Sequence, residues 1–104
     1  KAENSGNVVV NVTVTGDAFF NSTLFPSESY QFYVALNESN AFNDTNSSTS
    51  AVDMNTTSNL PHVYDLTWQN TKDDFLTHII TRAAANETPT SKESTVTFTV
   101  VGVG

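Results

Sequence analysis

Apolar and polar side chains alternate over most of residues 7–15. The apolar residues that share one face of this segment are Val8, Val10, Val12 and Val14. A period of two residues is typical of a strand that buries one face and exposes the other. We therefore predict a strand over residues 7–15 that contributes its valines to an apolar core and ends at Gly16, where glycine predicts a hinge.

Further segments of the chain also have strand character. Residues 30–36, 62–68 and 94–103 alternate in the same way, with Val96, Phe98 and Val100 predicted to face inward in the last of them. Residues 75–85 also fit a helical stripe, but their β-branched content favours a strand. The segment 37–59 is dominated by Asn, Ser and Thr and predicts at most one short edge strand.

Short strands at this spacing, separated by turn-forming residues, predict an all-β fold. We expect an immunoglobulin-like β-sandwich, although the chain has no cysteine and therefore lacks the disulfide of antibody domains. In residues 62–68, His62, Tyr64, Leu66 and Trp68 share one face by alternation. Trp68 is expected in the core, where large aromatic side chains of a sandwich usually lie.

The composition makes the surface polar through amides and hydroxyls rather than through charge. Asn, Ser and Thr supply 12, 11 and 16 of the 104 residues, whereas Lys and Arg together number 4. The net charge of −7 argues against binding to nucleic acid or to an anionic membrane surface. No apolar run is long enough to span a bilayer, and a first residue other than Met is expected of a processed or trimmed chain.

The motif that carries chemistry is Asn-x-Ser/Thr, the acceptor for N-linked glycans outside the cytoplasm. It occurs seven times, whereas the composition alone would give about three occurrences. The acceptor residues are Asn11, Asn21, Asn37, Asn43, Asn46, Asn55 and Asn86. All of them fall in predicted loops, at strand ends or on an outward face, so we expect several to carry sugars.

Motifs for catalysis or for metal binding are not found in the sequence. His62 and His78 have no Cys or His at ligand spacing, so both are interpreted as strand-face residues. Asp44 and the pair Asp73 and Asp74 could ligate calcium, but the spaced acidic loop with its central glycine is missing, and we expect solvated turn residues. No nucleophile elbow or phosphate-binding loop occurs. The sequence therefore predicts no enzyme, no cofactor and no metal site.

The first strand can be interpreted in two ways. It can be a strand of its own sandwich, or it can leave its own subunit and fill a groove in the next one, as in donor-strand complementation. In the second case, backbone hydrogen bonds give the joint its strength and the alternate valines set its register. Residues 1–6 are polar and are expected to form a flexible tail.

The chain resembles the archaeal thread subunits, which are similar in architecture to bacterial type I pilins. The features that carry the resemblance are the early segment NVVVNVTVT, the sandwich-like body over 18–103, the absence of cysteine and the many sequons. The resemblance implies a tail and donor strand over residues 1–17 and an immunoglobulin-like body over 18–104. It also implies donor-strand positions at Val8, Val10, Val12 and Val14.

These observations lead to one expected function and two rivals. The expected function is a structural subunit of an extracellular, N-glycosylated surface filament, a homopolymer joined head to tail, with adhesion or biofilm formation as roles that the family suggests. The first rival is a glycosylated module of a surface-layer or adhesive protein that binds carbohydrate or cells, with Tyr33 or Phe42 as a platform for sugar stacking. The second rival is a decoration protein of a virion or an appendage.

Overall fold

The computed structural model describes residues 1–17, 30–81 and 94–103. These residues contain seven strands and no helix. The strands are β1 (Ala2–Glu3), β2 (Val10–Gly16), β3 (Tyr30–Leu36), β4 (Val52–Asp53), β5 (Val63–Leu66), β6 (Asp74–Thr81) and β7 (Val96–Gly102). All strand pairs are antiparallel, and the predicted all-β class is therefore confirmed.

The strands form two sheets that pack face to face. One sheet has the order β1-β6-β3-β4 and the other has the order β5-β2-β7. Their inner faces meet in a single apolar cluster, in which Phe32 and Val34 of β3 are fully buried at 0% exposure. The arrangement is a small β-sandwich, as the alternating segments predict. In the part of the chain that the structure describes, no helix could span a membrane.

The first predicted strand is the centre of the three-stranded sheet of its own chain. β2 pairs with β5 on one side and, over its full length, with β7 on the other. Its three valines, Val10, Val12 and Val14, are 6%, 2% and 1% exposed, whereas Val8 precedes the strand and is 51% exposed. In the single chain the strand is therefore intramolecular, and the division between residues 1–17 and 18–104 stays a prediction about an assembled state.

Residues 1–6 are more ordered than a polar tail would be. Ala2 and Glu3 form β1, which pairs with the beginning of β6. Asn4 is buried, and its amide group donates to the carbonyl oxygens of Val8 at 2.9 Å and of Leu66 at 3.2 Å. The segment thus crosses from one sheet to the other, which hydrophobic periodicity cannot predict because its residues are polar.

A β-bulge in β5 overturns the alternation predicted for residues 62–68. Val10 pairs with Leu66 and Val12 pairs with Val63, so that two steps along β2 correspond to three along β5. Asp65 has a positive φ of 59° within this bulge. As a result Val63 and Leu66 both face the core, at 0% and 2% exposure. The expectation for Trp68 is wrong: it lies beyond the end of β5 and is 44% exposed.

The other predicted strands agree with the structure within the described residues. Residues 30–36 form β3, and the ambiguous segment is a strand, β6, up to Thr81. Its last residues, 82–85, lie outside the described residues. The short edge strand expected in 37–59 is β4. Residues 96–102 form β7, but its inward residues are far more exposed than a core strand requires, as described below.

Gly16 ends β2 at a point of close packing rather than at an unusual backbone angle. A Cβ atom at this position would lie 2.9 Å from Cγ and 3.0 Å from Sδ of Met54. Met54 is fully buried, so it has little space to move away. Glycine therefore allows β2 to approach the residue that follows β4.

We expect the two residues of the registered pair Phe32 and Ile79 to contribute very differently to stability. Phe32 is 0% exposed, and its replacement by alanine is expected to cost about 3–5 kcal/mol. Ile79 is 45% exposed on the same inner face, and Ile79→Ala is expected to cost about 1 kcal/mol or less. Urea denaturation of both variants measures the difference. Equal losses of stability in the two variants would contradict the observed exposure of Ile79 on the inner face of β6.

Candidate functional site

Three of the four predicted donor-strand residues, Val10, Val12 and Val14, form one row on the inner face of β2, whereas Val8 lies before the strand and is exposed. Cross-strand pairing places Val12 opposite Val100 and Val14 opposite Phe98. The partner strands β5 and β7 both come from the second half of the chain. β2 thus completes a sheet whose other two strands are distant from it in sequence.

The sandwich is open on the side of β7. Among the described strands β7 has no partner beyond β2, so no described strand pairs with its outer edge. On its inner face Phe98 is 40% and Val100 is 58% exposed, and Ile79 of the opposite sheet is 45% exposed. Inner-face residues of a closed sandwich would be buried, so this exposure marks an apolar surface that the described residues leave uncovered.

Two adjoining grooves follow this opening. The first has a volume of about 280 Å³ and lies between Val10, Phe75, Val100 and the segment 2–6. The second has a volume of about 220 Å³ and includes Thr77 and Ile79; both grooves share Ala2 and Phe98. The hydroxyl of Thr77 is buried and has no hydrogen-bond partner among the described residues. The grooves are mainly apolar and offer one unsatisfied polar group.

His62 holds the end of β2 at the point where β5 has not yet begun. The backbone N–H of Val14 donates to Nδ1 of His62 at 2.9 Å, and the backbone N–H of His62 donates to the carbonyl oxygen of Val12 at 2.8 Å. Desolvation by burial lowers the pKa of His62 below its ordinary value of 6.5. The imidazole must be neutral to accept this hydrogen bond. The side chain of His62 thus takes the place of a backbone acceptor and continues the hydrogen bonding between β2 and β5.

The described sequons are all accessible. Asn11, Asn37, Asn43, Asn46 and Asn55 are half-buried or exposed, and none belongs to the core. Asn21 and Asn86 lie outside the described residues. The Asn37 side chain donates to both carboxylate oxygens of Asp74 at 3.2 Å, whereas Asn11 accepts from the backbone N–H of Asp65 and keeps its amide nitrogen available. Asn11 therefore has the better geometry for a glycan that leaves the fold undisturbed.

The aromatic residues of the rival carbohydrate-binding interpretation do not form one platform. Phe42 is buried at 5% exposure and packs edge-on against Phe75, so it cannot stack on a sugar. Tyr33 lies on the outer face, where its ring stacks on that of His78 with a centroid distance of 4.6 Å. His78 is the exposed partner of this pair, in agreement with its interpretation as a strand-face residue.

The acidic residues differ from the expectation of solvated turns. Asp73 and Asp74 are only 6% and 3% exposed, and only Asp44 is exposed as predicted. The sequence contains no signal for this burial, because β1 brings Glu3 and Asn4 over the two aspartates through pairing that depends on the fold.

Comparison with family models, with curated proteins and with solved structures gave no match.

We expect the stability of the protein to fall at mildly acidic pH through His62. The folded state disfavours the imidazolium form, so the unfolded state binds more protons near and below pH 6.5. The contribution of neutral His62 to the free energy of unfolding is complete above that pH. It declines as the pH falls from there through the lowered pKa of the folded state. Urea midpoints between about pH 5 and 8 measure this slope. His62→Gln should flatten it, and His78→Gln should leave it in place; an unchanged slope in His62→Gln would contradict the prediction.

We also expect the protein isolated from its source to carry N-linked sugars. Its intact mass should exceed the 11.3 kDa polypeptide by the mass of several glycans, and deglycosylation should remove the excess. Peptide mapping should find sugar at Asn11 more completely than at Asn37, whose amide is already bonded to Asp74. A native mass equal to that of the bare chain would contradict this prediction.

Proposed function

We propose that the protein is a structural subunit of an extracellular, N-glycosylated filament whose subunits are joined head to tail by exchange of the segment that contains β2. Residues 1–17 of one subunit would take, in the next subunit, the place that they occupy in the single chain. The body would then have the immunoglobulin-like plan predicted from the sequence, with β2 as its donor strand.

The observation that carries the proposal is the position of β2. It precedes β5 and β7 by about 50 residues or more along the chain, yet it lies between them at the centre of their sheet. Exchange would preserve every registered pair, because the same residues would meet across two chains. Burial of a valine contributes on the order of 1.5 kcal/mol or more. Val10, Val12 and Val14, together with the backbone ladder, are therefore sufficient for a durable joint.

The open side of β7 supports the same function. An exposed apolar strand edge invites pairing with another chain, and a monomeric protein normally protects such an edge. Here Phe98 and Val100 are exposed beside a strand edge with which no described strand pairs. The sequons add a hydrophilic coat that suits an exterior location and limits unwanted pairing elsewhere on the surface. Val8 is exposed in the single chain, so the donor positions that this exchange would bury are Val10, Val12 and Val14.

A cysteine pair tests the exchange, because the native chain contains no cysteine. Thr15 and Thr97 are registered partners on the outer face of β2 and β7, at a spacing that a disulfide can bridge. In filaments of Thr15→Cys/Thr97→Cys, we expect oxidation to link subunits into a ladder on a denaturing gel. A mixture of the two single variants is the matched control and should give linked pairs only if the strand is exchanged.

The outcomes separate the parts of the proposal. Negative-stain images are combined with the gel result. If filaments are seen but the gel shows only monomer bands, the filament part of the proposal stands and the strand exchange is refuted. Monodisperse particles in native material would refute the filament and favour a surface module.

A further inference from the structure

The end of β2 is held on the side of β5 by hydrogen bonds of unequal kinds. The backbone N–H of Val14 donates to Nδ1 of His62 at 2.9 Å, and the carbonyl oxygen of Val12 accepts from the backbone N–H of His62 at 2.8 Å. Two residues further on, the backbone N–H of Gly16 donates to the carbonyl oxygen of Asn55 at 2.9 Å. Of these three hydrogen bonds, only the one from Val14 depends on the protonation state of a side chain.

The imidazole of His62 packs against the core and also borders solvent. Its ring meets that of Phe32 edge-on with a centroid distance of 4.9 Å, and His62 also lines a surface groove of about 600 Å³. The residues of β2 and β3 that bond to or stack on His62 are uncharged. Asp53 of β4 and Tyr64 of β5 are the other titratable residues among the described ones that line the groove, and Asp53 accepts from the amide of Gln31 at 3.1 Å.

These surroundings decide which form of the imidazole the fold accepts. Desolvation by burial lowers the pKa of His62 below 6.5, so the ring is neutral at pH 7 and accepts the N–H of Val14. No described residue that lines the groove is a lysine or an arginine. The half-buried ring can take up a proton from solvent when the pH becomes mildly acidic.

We propose that the hydrogen bond from Val14 to His62 is an acid-sensitive latch on β2, whose loss speeds the exchange of this strand. An imidazolium carries a proton on both ring nitrogens and accepts no hydrogen bond. The N–H of Val14, a residue that is 1% exposed, then loses its acceptor, which is costly while β2 is docked but not after it has left. Since an incoming β2 would meet the same imidazole, acid should raise the rate of exchange without favouring either strand. The inference rests on the proposed function, because it concerns the control of the same strand.

Uptake of a peptide by the full chain measures this rate. A fluorescent, end-blocked peptide of residues 7–16 (NVVVNVTVTG) has no titratable side chain, so the protein alone can cause a pH dependence of uptake. We expect fluorescence anisotropy to show uptake at about pH 5 that is at least about threefold faster than at about pH 7.5.

Two variants assign the effect to the latch. His62→Asn should remove the pH dependence, because an amide oxygen can accept the N–H of Val14 but does not titrate in this range. His78→Asn makes the same change at the exposed histidine that stacks on Tyr33, and it should keep the full pH dependence. Equal rates at the two pH values in the native sequence, or the same acceleration in His62→Asn, would overturn the latch and leave the exchange in place.

An NMR titration of the native chain tests the latch without a peptide. We expect the amide resonance of Val14 to shift with the same midpoint as the imidazole of His62, because the hydrogen bond between them is lost on protonation. An amide resonance of Val14 that does not follow the imidazole would overturn the latch. Absence of peptide uptake at every pH would instead refute the strand exchange, and with it both the proposed function and the part that the latch plays in it.

Discussion

Burial of the β2 valines against the opposite sheet holds the two sheets of this protein together. Val10, Val12 and Val14 lie in the same cluster as Tyr30, Phe32 and Val34 of β3, and β2 is the only strand that joins β5 to β7 among the described strands. Without it, β5 and β7 would be two separate strands with unsatisfied backbone groups. The sandwich therefore depends on one short segment near the beginning of the chain.

The same dependence links the fold to the proposed assembly. The partners of β2 are 50 or more residues away along the chain, so its docking closes long loops and is entropically expensive. A strand with such distant partners gains the same contacts from a neighbouring chain as from its own. The exposed side of β7 next to it adds an apolar surface that a second subunit could cover. The proposed exchange would therefore use the same contacts that β2 makes within the single chain.

Polar contacts position the residues before β2. The amide of Asn4 donates to the carbonyl oxygens of Val8 and of Leu66 in β5, and β1 attaches the chain to β6. This attachment encloses Asp73 and Asp74, which explains why two adjacent aspartates are buried in a protein with a net charge of −7. The imidazole of His62 performs a comparable function at the other end of β2, where it accepts the N–H of Val14.

Local alternation in the sequence determined the all-β class, the positions of β2, β3 and β7, and the inner face of β2, because a period of two depends only on neighbouring residues. The position of β6 followed from its β-branched residues, which favour a strand over a helix. It failed where the fold acts over long distances. The bulge at Asp65 shifts β5 by one residue, and the chain places Trp68 beyond the sheet, so neither position obeys the alternation. The open inner face of β7 and the burial of Asp73 follow from which strands become neighbours. The local pattern does not encode which strands become neighbours. Only the tertiary structure decided it, because the burial of β2 between two distant strands sets the order of the sheet.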